Sequence, residues 1–301
     1  TEIEIYGKEE RKMENKKIVV VGAGLMGSGI AQTCAQAGFQ VVNIDTFESA
    51  IEKAKANMEK LFAKKVAKGS MTEEKKAEIL GNLTYSGSFE DVKGAAIVIE
   101  AVPEKIEIKK DTFKKIDEIA DPETLIVSNT SGLSISEIAS VTNRPDKVMG
   151  VHFFYPAPVM KLAELVRGLV TSDETYASIK EFAAAIGKTT VDAPEYPGFM
   201  VNRILVPMQN EAAFMVMEGS SPEDVDNAMK LGCNHPMGPI ELTDFVGIDT
   251  MLATMTGLYN GFHDSKYRPC PLLETMVKAG HLGRKTGQGF YKYDEKGNKI
   301  G

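Results

Sequence analysis

The chain has 301 residues, 43% of them apolar, and a formal net charge of −7. That length predicts two domains, each able to bury a core, and the acidic balance argues against nucleic acid as a general partner. No run of 18 apolar residues occurs, so neither a transmembrane helix nor a membrane partner is expected, and the N-terminus lacks the apolar stretch of a secretory signal. Cys34, Cys233 and Cys270 form no C-x-x-C pattern, suit a reducing compartment, and read as small core residues of a cytoplasmic protein. His152, His235, His263 and His281 show no metal-ligand spacing, so no metal is expected.

Residues 1–12 are mixed in charge and aperiodic, and they read as a tail or leader outside the fold. The first element is Ile18 to Val21, four β-branched apolar residues that predict a strand buried on both faces. It runs into Gly22, Ala23, Gly24, Leu25, Met26 and Gly27, a G-x-G-x-x-G turn, and then into a helix from Ser28 to Ala37. Gly22 permits the tight turn, Gly24 the approach of a pyrophosphate, and Gly27 close packing of helix on strand. The free N–H groups of the helix start favour phosphate. A second apolar strand, Val41–Ile44, ends at Asp45, whose carboxylate can accept from a pair of ribose hydroxyls. A 2′-phosphate would be repelled there, and no Arg or Lys follows Asp45 before Lys53, so the expected cofactor is NAD rather than NADP.

A lysine-rich helical stretch, Ser49 to Leu80, follows with a break at Lys68-Gly-Ser70. Its lysines read either as a solvated face or as a basic arm that meets a phosphate-bearing substrate. Further buried strands are predicted at Ala95–Glu100, Leu125–Asn129 and Val148–His152, with a helix at Ile106–Ala120 between the first two. Strands alternating with helices imply a doubly wound, mainly parallel α/β sheet of the Rossmann type. In such sheets ligands lie beyond the carboxyl ends of the strands, where Glu100, Asn129 and His152 fall. After Lys188–Asp192 the composition changes, and helices are predicted at Phe199–Glu218, Pro222–Lys230, Pro239–Phe245, Ile248–Tyr259 and Leu272–Ala279. The expected organisation is therefore a dinucleotide-binding domain with a helical arm over 13–194 and an all-helical domain over 195–301.

His152 at the end of its strand suits general acid–base work beside a hydride acceptor, since an imidazole titrates near neutrality. Glu164 lies on the next extended segment, Lys161–Val166, and can return beside the imidazole to fix its tautomer and offset its charge. Ser134-Ile-Ser-Glu137 supplies a capping box, which leaves Ser131 to hold a substrate oxygen. Asn202 stands in a run that reads as a largely buried helix, so its amide needs a partner, either core backbone or ligand.

Taken in order, Gly22–Gly29, Glu100-Ala-Val-Pro-Glu-Lys, Ser128-Asn-Thr-Ser, His152-Phe-Phe with Pro158-Val-Met-Lys-Leu and Glu164, Pro197-Gly-Phe with Asn202-Arg, Pro236-Met-Gly-Pro, and Gly283-Arg-Lys-Thr-Gly-Gln-Gly-Phe-Tyr resemble the short-chain L-3-hydroxyacyl-CoA dehydrogenases over residues 16–293. The resemblance implies an NAD-dependent interconversion of (S)-3-hydroxybutyryl-CoA and acetoacetyl-CoA. It implies Ser131, His152, Glu164 and Asn202 as catalytic residues, Ser131 and Asn202 also touching substrate. It adds Glu104, Lys109, Ser131 and Lys285 near NAD, Asn57 and Lys64 near the CoA of an acyl-CoA substrate, and a homodimer formed through the helical domain. One departure stands out: Tyr155 takes the place of the family's usual Asn after His-Phe-Phe, which predicts a narrower acyl site. The competing readings are a related dehydrogenase for a free hydroxy acid such as a sugar acid, which needs no Lys64 for a CoA phosphate, and a non-catalytic dinucleotide-binding protein, which predicts loss of one or more of the four catalytic positions, all of which are present.

Overall fold

A computed structural model describes residues 16–300, so the tail assigned to residues 1–12 lies outside the described residues. The chain divides into two compact units, between Glu195 and Tyr196.

The first unit is built on an eight-stranded sheet. In chain order its elements are β1 (Lys17–Val21), α1 (Leu25–Gln36), β2 (Gln40–Ile44), α2 (Glu48–Ala67), α3 (Glu73–Gly81), β3 (Leu83–Ser86), β4 (Ile97–Glu100), α4 (Ile106–Ile119), β5 (Leu125–Ser128), α5 (Ile135–Ala139), β6 (Val148–Phe153), β7 (Leu162–Arg167), α6 (Asp173–Ala185) and β8 (Thr189–Ala193). Strand order is β3-β2-β1-β4-β5-β6-β7-β8, so the order reverses direction between β1 and β4. All neighbours pair parallel except β6 and β7. The sheet is larger than the sequence pattern indicated. β3 and β8 were not anticipated, because neither is a continuous apolar run: β3 holds Thr84 and β8 holds Thr189, Thr190 and Asp192.

The core lies against this sheet. Ile18, Val20, Ile97, Ile99, Val127, Met149, Val151 and Phe153 pack with Ile30, Cys34, Phe62, Phe182 and Ile186. Helix starts are fixed locally: the Thr72 hydroxyl accepts from Lys75 N at the head of α3, and the Ser172 hydroxyl from Thr175 N at the head of α6. On the arm, α2 buries Ile51, Ala54, Met58 and Phe62 along one face and leaves its lysines outside.

The second unit is helical. It comprises α7 (Val201–Met217), α8 (Pro222–Gly232), α9 (Pro239–Val246), α10 (Ile248–Phe262) and α11 (Pro271–Lys278), then a short hairpin of β9 (Lys292–Tyr293) and β10 (Lys299–Ile300). Prolines 222, 239 and 271 stand in the first turns of α8, α9 and α11, where the missing N–H breaks no bond. Two buried carboxylates tie the tail to these helices. Asp244 accepts from Phe290 N, Tyr291 N and the Tyr293 hydroxyl, and Asp226 accepts from Ile240 N, Glu241 N and the Tyr291 hydroxyl. Burial raises the Asp244 carboxyl above its ordinary range, with Asp226 adding to the effect and the three donors opposing it. Gly283 and Gly289 sit so close to Asp244 that a Cβ would come within 2.3 and 2.1 Å of its atoms. That contact explains Gly283 and Gly289 of the Gly283–Tyr291 motif.

Two sequence expectations fail at this level. Cys34 and Cys270 are buried core residues, but Cys233 is exposed at the end of α8. The capping box at α5 forms only by half: Ser134 caps Glu137 N, while the Glu137 carboxylate pairs with Lys110. Among the described residues no helix is long and apolar enough to cross a membrane.

Candidate active site

The glycine turn closes over the end of β1 by steric necessity. Gly22 has φ +108°, and a Cβ there would lie 2.6 Å from the Ala101 carbonyl oxygen. At Gly27 a Cβ would fall 1.9 Å from the Gly22 oxygen, so helix and turn meet only through glycine. Outside Gly24, by contrast, a Cβ meets nothing within 4 Å. Among the described residues no side chain caps the start of helix α1, so the N–H groups of its first turn can meet a ligand. Open space at the middle glycine, with these uncapped donors behind it, fits a pyrophosphate.

Asp45, just past the end of β2, holds this turn as well as facing it. Its Oδ2 accepts from Ala23 N at 2.8 Å and its Oδ1 from Phe47 N at 2.9 Å. Each oxygen retains a lone pair for a ribose hydroxyl. Asn43 was not singled out from the sequence, because it is one polar residue in a buried run. Its amide donates to the carbonyls of Val20 and Gly22, pinning the strand end to the turn. A polar residue inside an otherwise apolar strand is the signal that could have found it.

A second polar cluster occupies the ends of β4 and β5. Glu100 is fully buried and accepts from Lys109 Nζ and Val102 N, each at 2.7 Å, and from the Ser128 hydroxyl at 2.6 Å. Lys109 also reaches Glu104 at 3.2 Å. Glu104 in turn accepts from the Thr130 hydroxyl at 2.6 Å, Ser131 N at 2.7 Å and the Ser131 hydroxyl at 3.0 Å. Burial works to raise the Glu104 carboxyl, but the Lys109 charge and these hydrogen bonds outweigh it and hold the pKa below the ordinary value. Lys109 is 1% exposed, and its ammonium meets the carboxylates of Glu100 and Glu104. The Ser131 hydroxyl, which the sequence reading assigns to a substrate oxygen, donates to Glu104 here.

Beyond β6 the register places His152 directly opposite Glu164 on antiparallel β7. Nδ1 of His152 and Oε2 of Glu164 are 2.6 Å apart, with the carboxylate fully buried and the imidazole 7% exposed. The strand pairing thus brings together two residues twelve apart in the chain. Asn129 Oδ1 accepts from Phe153 N and joins the ends of β5 and β6. The ring against His152 is Phe154, with centroids 4.5 Å apart, whereas Tyr155 is half exposed.

On the arm, Asn57 and Lys64 are both exposed and stand seven residues, or two helical turns, apart on one face of α2. Within the helical unit, Asn202 occupies the first turn of α7 and is partly exposed. The largely buried helix expected there begins only at Val206, since Ile204 is 74% exposed. In the same unit Lys285 Nζ bonds Asp249 Oδ2 at 2.7 Å.

Comparison with known proteins assigns this architecture. Residues 17–196 match the model of the 3-hydroxyacyl-CoA dehydrogenase NAD binding domain, and residues 198–293 match the C-terminal domain of the same family. The chain belongs to the 3-hydroxyacyl-CoA dehydrogenase family. It is 50% identical over 285 residues to the probable 3-hydroxybutyryl-CoA dehydrogenase of Bacillus subtilis, covering 94% of this chain and 99% of that protein. It is 40% identical to the human mitochondrial hydroxyacyl-coenzyme A dehydrogenase, over 94% of this chain and 93% of that one. The crystal structure of (S)-3-hydroxybutyryl-CoA dehydrogenase from Ralstonia eutropha superimposes with a TM-score of 0.89 at 47% identity, covering 94% of this chain and all of that one. The chain is therefore an NAD-dependent enzyme of this family, and the Rossmann-type sheet followed by a helical region is the family's fold.

Proposed function

We propose that this enzyme interconverts (S)-3-hydroxybutyryl-CoA and acetoacetyl-CoA. The observation that carries the reading is the His152–Glu164 pair, 2.6 Å apart, at the carboxyl end of β6. That is the same end of the parallel strands as the glycine turn. The similarity to dehydrogenases named for the four-carbon substrate supports the substrate class.

Bound NAD would supply the hydride acceptor for C3 of the hydroxyacyl group. Gly22, Ala23, Gly24, Leu25, Met26 and Gly27 would hold its pyrophosphate, and Asp45 its adenosine ribose. His152 donates its Nδ1 proton to Glu164, which leaves Nε2 as the base. In oxidation Nε2 takes the proton of the 3-hydroxyl, and the resulting imidazolium sits against the Glu164 carboxylate. In reduction the same proton returns to the 3-keto oxygen. Ser131 and Asn202 would hold substrate oxygens, with Glu104 and Lys109 orienting Ser131 from behind. Asn57 and Lys64 on the arm would meet the CoA nucleotide, and Lys285 the cofactor side. The exposed apolar residues of the helical unit, Ile204, Leu231 and Phe245 among them, suit a homodimer through that unit, which light scattering would test.

The deciding assay measures reduction of acetoacetyl-CoA and of longer 3-ketoacyl-CoAs with NADH and with NADPH. Best turnover on the four-carbon substrate with NADH supports the reading. Faster turnover on a longer 3-ketoacyl-CoA, or turnover with NADPH that matches NADH, overturns it.

A further inference from the structure

Lys188 stands between α6 and β8, and the ordinary place for such a residue is solvent. Here it is buried, and its ammonium donates to two carbonyls, Ala157 at 2.5 Å and Met160 at 2.7 Å. Those carbonyls lie in the connection that carries the chain from Phe153 at the end of β6 to Leu162 at the start of β7. The chain's own ladder supports the same place, since Thr189 N donates to the Lys161 oxygen. Among the described residues no carboxylate pairs with Lys188. Burial pushes its pKa below that of an ordinary lysine, with the buried Cys34 thiol, itself pushed up to about 12 by burial, opposing the shift. A buried cation with only neutral acceptors lowers stability, so packing gives no reason for a lysine here.

What the cation does is hold the 154–161 connection. Its middle, Ala157 and Pro158, rests on helix α1, where a Cβ at Gly29 would sit 3.4 and 3.5 Å from their side chains. The connection therefore links the His152 strand, the Glu164 strand and the helix that begins at the dinucleotide turn. We propose that Lys188 is a positioning residue for the reaction, clamping this connection so that the His152–Glu164 pair keeps a fixed place relative to the glycine turn. The proposal rests on the acid–base role given to His152 above.

The test is a double-variant cycle on the full-length enzyme with Lys188→Met and His152→Ala. Displacement of a reacting group by a fraction of an ångström costs on the order of 10–100-fold in turnover. Lys188→Met is thus expected to lower kcat by that factor, with KM for acetoacetyl-CoA and Kd for NADH within about twofold. In the His152→Ala background the same change should cost nothing further, because the group it positions is gone. Lys188→Gln keeps an uncharged amide donor on a shorter side chain and should fall between wild type and Lys188→Met; if Lys188→Met does not fold, Lys188→Gln is carried through the same cycle. Unchanged kcat with only a lower Tm, or losses that multiply in the double variant, overturns the proposal. A His152→Ala enzyme that retains turnover overturns the functional reading instead, so the two failures are distinguishable.

Discussion

His152 and Glu164 occupy directly opposed positions on β6 and β7, and their side chains meet at 2.6 Å with the carboxylate wholly buried. The pair exists because β6 and β7 form the antiparallel pairing of an otherwise parallel eight-stranded sheet. Had β7 joined in parallel, residues twelve apart could not face one another, since a parallel crossover needs a longer connection.

Glu164→Gln keeps the shape of the pair and removes its charge. The imidazolium then loses its counter-ion and its tautomer is no longer fixed. We expect kcat to fall by on the order of 10²–10⁴ with NADH affinity nearly unchanged. Turnover close to wild type across neutral pH would show that the pair is structural.

Asp45 makes two backbone hydrogen bonds, and the proposed role of its carboxylate is to hold the adenosine ribose. Wild-type enzyme should use NADH well ahead of NADPH. In Asp45→Ser the charge-assisted contact is lost, worth about 1.5–3 kcal/mol, or roughly 10–100-fold in kcat/KM for NADH. The NADPH-to-NADH ratio should rise because the repulsion of a 2′-phosphate is relieved. A ratio that does not move would place Asp45 in the turn's architecture only.

Lys64 is exposed on the arm, so any phosphate contact it makes is screened and worth up to about 1 kcal/mol. Lys64→Ala should raise KM for acetoacetyl-CoA up to about fivefold and leave KM for NADH alone. The effect should shrink as salt approaches physiological strength and above, where the screening length is about 8–10 Å or less. A truncated thioester without the nucleotide should not distinguish variant from wild type. If it does, Lys64 acts through the fold.

Glu104 gives a stability test with a definite sign. Its folded pKa lies below the ordinary carboxyl value, so its contribution is fully present above the unfolded pKa of about 4.3 and is lost as pH falls through the lower folded value. The Tm difference between wild type and Glu104→Gln should therefore be largest near neutrality and shrink below about pH 4. A difference independent of pH would mean that the Lys109 charge does not govern the site.

Much of this was legible in the chain. Ile18–Val21 with the three glycines and Asp45 predicts strand, turn, helix and ribose carboxylate, because each role demands a particular residue type at a particular spacing. The helices of the second unit were legible from period and from Pro222, Pro239 and Pro271. Asn202 shows where that reasoning stops: its apolar neighbours suggest burial, yet Met200 and Ile204 are exposed, because the apolar pattern records what prefers to be covered and not what covers it.

The sequence by itself determined the local chemistry: which turn must be glycine, which strand end carries a carboxylate, and that a histidine and a glutamate stand twelve residues apart. Only the tertiary structure decided which partners these groups meet. The antiparallel entry of β7 set Glu164 on His152, Lys109 turned inward to two carboxylates, and Lys188 turned inward to carbonyls 31 and 28 residues away. The physical reason is range. Backbone preference and hydrophobic period act over a few neighbouring residues, whereas the partner of a buried charge is fixed by sheet order and strand direction, which belong to the whole chain.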